Sequence, residues 1–147
     1  GVLMGVVGAG VGSSEVIIAG IAATVAGAFS MGGGEYVSVS AQKDTEISHG
    51  RRGKDVTANP LQAALSSFLA FVAGALLPML SVILFPTELQ VAAILIGVTV
   101  SLAITGVSAA LVGNSNPIRG AFRIVAVSVI TMAVSYLVGL AFGVAVL

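Results

Sequence analysis

Hydrophobic and polar positions along this chain fall in long blocks. Apolar runs at 16–40, 61–85, 88–112 and 118–147 are separated by a polar stretch, Ala41–Asn59, and by short polar turns around Ser13, Thr87 and Asn114. At about 1.5 Å rise per residue, each run is long enough as a helix to cross a hydrocarbon core of roughly 30 Å. Backbone in lipid must be helical or part of a closed barrel, and no run shows the period-two alternation of barrel strands. The pattern therefore predicts an all-α fold, an integral membrane bundle of five transmembrane helices in one domain, 1–147, with the first helix truncated.

That first helix is Gly1–Gly12, apolar and glycine-rich but too short to span, without the basic flank of a signal peptide. It reads as the end of a helix whose beginning lies outside the chain. Gly5, Gly8 and Gly12 give it a small face suited to the close approach that helix packing in lipid relies on. Ser13 and Ser14 then turn the chain and cap helix two, 15–40, with Glu15 in its first turn where the helix dipole favours an anion. The polar stretch 41–59 reads as an aqueous loop. Asn59 and Pro60 open helix three, 61–85, and Pro78 inside it is expected to kink it. Thr87 and Gln90 have the capping-box spacing for helix four, 88–112. Pro117 opens helix five, 118–147.

Composition sharpens this picture. Of 147 residues 57 % are apolar and 8 % charged, and mean hydropathy is +1.12, where soluble domains carry about 25 % charged residues. Cysteine is absent and net charge is zero, which leaves no thiolate metal site and argues against a nucleic-acid footprint. All six Lys and Arg (Lys43, Arg51, Arg52, Lys54, Arg119 and Arg123) fall on one side of the expected topology. The positive-inside rule makes that side, with the N-terminus and the loop 41–59, cytoplasmic.

Candidate chemistry concentrates on helix two. Gly20, Thr24, Gly27, Met31, Glu35 and Ser38 recur at three- and four-residue spacing and so share a face. Glu35 is the one charged side chain between Val16 and Ser40. Met31 supplies a soft thioether and Glu35 a hard carboxylate, a pair suited to a borderline divalent metal ion. The functional reading is a cation path with Met31 and Glu35 as metal contacts and Gly27, Ser38 and Thr24 lining it, the glycines admitting another helix or a symmetry mate. Two plainer readings stand beside it: Met31 as ordinary packing, and Glu35 snorkelling to the interface near Lys43. In the loop, Asp44, Glu46 and His49 are weaker metal candidates whose spacing matches no compact ligand motif. Arg119 and Arg123 share a face where they either meet lipid headgroups or fix orientation. No nucleophile with a partner base, phosphate loop or zinc spacing is found, which argues against an enzyme.

Two stretches carry a family resemblance. SMGGGEYVSVSAQKDTE, Ser30–Glu46, resembles the helix-two motif of the vacuolar iron transporter family, which includes the yeast CCC-type and nodulin-like proteins. NPLQAALSSFLAFVAGALLPML, Asn59–Leu80, is similar to that family's third helix. The resemblance implies a homodimer in a vacuolar or cell membrane that exports cytosolic Fe²⁺, and often Mn²⁺, in exchange for protons along a path at the dimer interface. The metal is then cargo, and no cofactor is implied. Met31 and Glu35 fall on the family's Met and Glu positions. Two features depart from the pattern. The family's Asp-Gly pair early in helix one has no counterpart here, and only the short loop Ile47–Ala58 stands where the iron transporters carry a Glu-rich metal-binding domain, so a short form is expected. The reading from another class is a non-transporting membrane anchor whose glycine faces serve dimerisation alone.

Overall fold

The computed structural model describes residues 1–146. The expected end of helix five at Leu147 and the side chain of Lys54 lie outside the described residues. In chain order the elements are α1 (Val2–Gly8), α2 (Ser13–Ser48), a 3₁₀ turn (Gly53–Asp55), α3 (Pro60–Leu84), α4 (Thr87–Val112) and α5 (Pro117–Val146). Among the described residues there is no strand, and α2 to α5 are each long and apolar enough to cross a membrane. The boundaries of α3 and α4 and the start of α5 fall within a residue of those read from hydropathy. Asn59 Oδ1 accepts the Gln62 N–H at 3.2 Å and Asn116 Oδ1 the Arg119 N–H at 3.1 Å, so an asparagine just ahead of a proline caps both α3 and α5.

Three local expectations are corrected. First, α1 stops at Gly8, because Gly10 takes a left-handed φ of 75° and turns the chain.

Second, α2 does not end at residue 40 but runs through Ser48. The sequence AQKDTEIS is polar yet contains neither glycine nor proline, and its side chains support the helix. Gln42 Nε2 donates to Glu46 Oε1 at 3.2 Å, and the Thr45 hydroxyl bonds back to the Ala41 carbonyl at 2.9 Å. The stop comes at Gly50, with φ 84°, where the Arg51 N–H reaches the Glu46 carbonyl at 3.1 Å and the Gly50 N–H the Ile47 carbonyl at 2.9 Å. That is a Schellman ending. At 36 residues the helix is about 54 Å long, more than a bilayer core accepts, so its last two polar turns project into water. A second Schellman ending closes α4, with Asn114 at φ 49° and the Ser115 N–H on the Ala110 carbonyl at 2.8 Å.

Third, Thr87 and Gln90 do not form a capping box: the N-cap position is Pro86, with no side-chain cap bond. Gln90, almost fully buried, donates to Ser13 Oγ at 3.0 Å and to the Val82 carbonyl at 3.2 Å, while the Thr87 and Ser13 hydroxyls meet at 3.3 Å. These side chains therefore tie the start of α2 to the α3–α4 turn. Ser13, expected to cap α2, is drawn into that knot.

The chain divides into two compact units. The first comprises Gly1–Ala22 and Leu76–Leu147. Its core is Leu3, Met4, Val16, Val82, Ile94 and Met132. The glycine face of α1 meets the glycines of α5: a Cβ on Gly139 would collide with the Gly5 carbonyl, and one on Gly143 with Ala9. Gly106 of α4 likewise lies against Ala121 and Gly120 of α5. Small residues thus bring backbones together, the packing that replaces hydrophobic exclusion in lipid. The second unit, Ala23–Ala75, pairs the rest of α2 with α3 as far as Ala75.

Candidate functional site

Within the second unit, α2 meets α3 through small residues. A Cβ on Gly27 would enter the ring of Phe71, a Cβ on Gly32 would lie 3.0 Å from the Ala64 carbonyl, and Ala28 is fully buried. Phe29 and Phe68 close the contact edge to face, with centroids 5.3 Å apart. The face predicted from spacing is therefore divided. Gly27 packs inside the chain, and Thr24 is partly buried, whereas Met31, Glu35 and Ser38 are exposed. Gly20 belongs to the first unit and packs on Leu3 and Met79. The glycines that remain open are Gly33 and Gly34, with no atom within 4 Å of an added Cβ.

Met31 and Glu35 stand one turn apart on the same side of α2, Met31 with half its surface exposed. A thioether and a carboxylate so placed can contact one side of a divalent cation, and the rest of its coordination shell would come from water or another chain. Among the described residues no group of three or more His, Asp or Glu side chains converges on one point.

The polar residues after Ser40 are arranged differently from a loosely held metal site. Asp44 and Glu46 lie on opposite sides of the helix extension. The His49 ring, through Nδ1–H, donates to the Thr45 carbonyl at 2.8 Å, which closes its own helix end. Glu46 is buried. Its Oε2 accepts the backbone N–H of Thr57 at 2.7 Å and of Ala58 at 3.4 Å, and its Oε1 accepts the Thr57 hydroxyl at 3.0 Å, with Arg51 3.9 Å away. The Thr57 N–H, followed by the Gln42 and Thr57 side chains, holds the Glu46 carboxyl below the usual carboxylate range against the opposing effect of burial. Glu46 is thus a clamp that folds the segment 49–58 back onto α2, a role the spacing of acidic residues did not reveal. Beside it lies an open polar cavity of about 390 Å³ lined by Lys43, Gly53, Val56, Thr57, Ala58, Asn59 and Gln62.

The family model described as the VIT family matches residues 1–56 and 46–140. The chain belongs to the VIT family. It is 35 % identical over 127 residues to vacuolar iron transporter homolog 2 of Arabidopsis thaliana, covering 82 % of this chain and 65 % of that protein. It is 37 % identical over 147 residues to vacuolar iron transporter homolog 1 of Oryza sativa subsp. japonica, covering 91 % of this chain and 63 % of that protein. Homolog 2 of the same rice is 33 % identical over 138 residues, with 86 % of this chain and 73 % of that protein covered. The chain spans just under two thirds of the length of the first two of these VIT-family relatives. No solved structure matches it.

Proposed function

We propose that this VIT-family chain is a divalent-metal/proton antiporter that moves Fe²⁺, and also Mn²⁺, out of the cytosol into a vacuole or to the exterior, working as a homodimer. The observation that carries this reading is the pair Met31 and Glu35. An apolar helix segment spends about 2.5–3.5 kcal/mol of insertion free energy on a carboxylate, and that carboxylate stands exposed one turn from the thioether, beside the glycines that α3 leaves open.

Met31 and Glu35 contact the metal, and a second copy of the chain, approaching on Gly33 and Gly34, adds the ligands that one α2 lacks. A proton and a cation compete for the same Glu35 oxygens, so arrival of one expels the other. That competition couples the two fluxes. Ser38 continues the exposed polar face one turn beyond Glu35, and Thr24, partly buried, lies on the same side of α2 past Gly27. The six basic residues and the loop after α2 lie on the cytoplasmic side, so Glu35 meets the metal first and Met31 lies deeper. The names of the relatives supply iron as the cargo.

The alternative is a membrane anchor that transports nothing and whose glycine faces serve dimerisation alone; Gly27, one of those glycines, is occupied by Phe71 within the chain, and uptake separates the two readings. The test is Fe²⁺ uptake into proteoliposomes under a proton gradient. Saturable uptake by the wild type and its loss in Glu35→Gln are expected; equal uptake by the two proteins removes Glu35 from the mechanism.

A further inference from the structure

Helix α5 carries a second chemical pattern. Arg119, Arg123, Val127, Ile130, Val134 and Leu137 follow one another at spacings of three and four residues, so they form one stripe along the helix. The two guanidinium-bearing residues are exposed, and the four apolar side chains are each more than half exposed. The opposite face of α5 makes its contacts inside the unit, through Ala121, Met132 and Gly139.

The charge on this stripe has no counterpart on α5 itself. After Glu88 the chain contains no acidic residue, and Glu88 sits in the first turn of α4, the helix whose far end leads into α5. The 24 residues from Glu88 to Val112 put about 36 Å between it and that end. Among the described residues the one ion pair joins Arg51 and Glu46. Two arginines one turn apart thus stand at the boundary where the apolar part of α5 begins, with no carboxylate on α5 itself and none paired with them among the described residues.

We propose that this stripe binds one anionic phospholipid, its phosphate between Arg119 and Arg123 and an acyl chain along Val127, Ile130 and Val134. The guanidinium fork matches phosphate oxygens in pairs. Arg123 to Val134 spans about 16 Å, close to half the hydrocarbon thickness and so to one leaflet. A free phosphate ion would use the arginines but leave the apolar stripe unexplained. A second copy of the chain does not fit this face, because a two-fold axis along the membrane normal would set its arginines against these at the same depth. The site is independent of the metal reading and requires only that α5 lies in a bilayer.

The test is native mass spectrometry of purified protein in an equimolar mixture of phosphatidylglycerol and phosphatidylcholine. The wild type should retain phosphatidylglycerol preferentially. Arg119→Gln with Arg123→Gln should weaken that retention by about thirtyfold, on the scale of basic residues at anionic membrane surfaces, while Lys43→Gln with Arg52→Gln should leave it unchanged. Arg119→Lys with Arg123→Lys, which keeps both charges, should lose only a few-fold. Equal retention by the Gln pair, equal loss in the loop pair, loss in the Lys pair as large as in the Gln pair, or displacement by millimolar inorganic phosphate would each overturn the proposal.

Discussion

Replacing Gly139 by alanine sets two effects of known sign against each other. Gly139 lies well inside α5, so alanine alone favours the helix by about 0.8–1 kcal/mol. In the folded chain, however, the new methyl would overlap the Gly5 carbonyl and approach the Ala9 nitrogen to 3.1 Å. Both obstacles are backbone atoms, which cannot rotate away, so α1 must move as a body and loosen the contacts of Leu3 and Met4 with the core. Overpacking of this kind costs about 1–3 kcal/mol, and a backbone obstacle places it near the upper end. The net loss is then about 2 kcal/mol. Gly74→Ala in α3 is the control, since nothing lies within 4 Å of an added Cβ there. It keeps the propensity gain without the clash. Thermal unfolding in detergent, followed by circular dichroism at the helical band, should show Gly139→Ala melting roughly 5 °C below the wild type and Gly74→Ala at or above it. A Gly139→Ala protein that melts with the wild type would refute the close α1–α5 contact.

The same logic separates two glycines of α2: Gly27→Leu should lower the melting temperature, since the ring of Phe71 fills its space, whereas Gly33→Leu should not, and the reverse order would contradict the assignment of faces. The Glu46 clamp predicts a pH dependence. Because its folded carboxyl titrates below the usual range, its stabilisation of the segment 49–58 is present at neutral pH and is lost as pH falls through that lowered value. Hydrogen exchange should show Thr57 and Ala58 amides protected at neutral pH, deprotected in acid, and deprotected at all pH values in Glu46→Ala; protection surviving that substitution would dismiss the clamp. Met31→Leu keeps volume and removes sulfur, so it should narrow discrimination between Fe²⁺ and the harder Mg²⁺ in transport without lowering the melting temperature, and unchanged discrimination would return Met31 to packing.

Hydropathy located the spans to within a residue at most ends, because proline and asparagine punctuate the chain where lipid also ends. It misplaced the end of α2. Loss of hydrophobicity marks where lipid stops, while a helix stops where its backbone is terminated, and between Ser40 and Gly50 nothing terminates it. The spacing Thr87…Gln90 matched a capping box, yet Gln90 had a buried carbonyl and hydroxyl within reach, and long-range partners prevailed over the local motif. On α2, periodicity grouped Gly27 with Met31 and Glu35 correctly as neighbours on a helix, but a helical wheel does not say which part of a face a neighbouring helix covers. Phe71 decides that, and nothing local to α2 identifies Phe71. Glu46 was legible only as an acid among acids. Its partners, Thr57 and Ala58, lie across a turn set by Gly50 and Gly53, whose left-handed φ values of 84° and 57° fold the chain back.

The most direct test of the central claim, that Glu35 exchanges a proton for a metal ion, is to record metal and proton movement together in proteoliposomes loaded with an iron-sensitive and a pH-sensitive dye. In the wild type, Fe²⁺ entry should drive proton exit in a fixed ratio, and Glu35→Gln should abolish both signals. Fe²⁺ entry without proton movement in the wild type, or coupled movement that survives in Glu35→Gln, would contradict it.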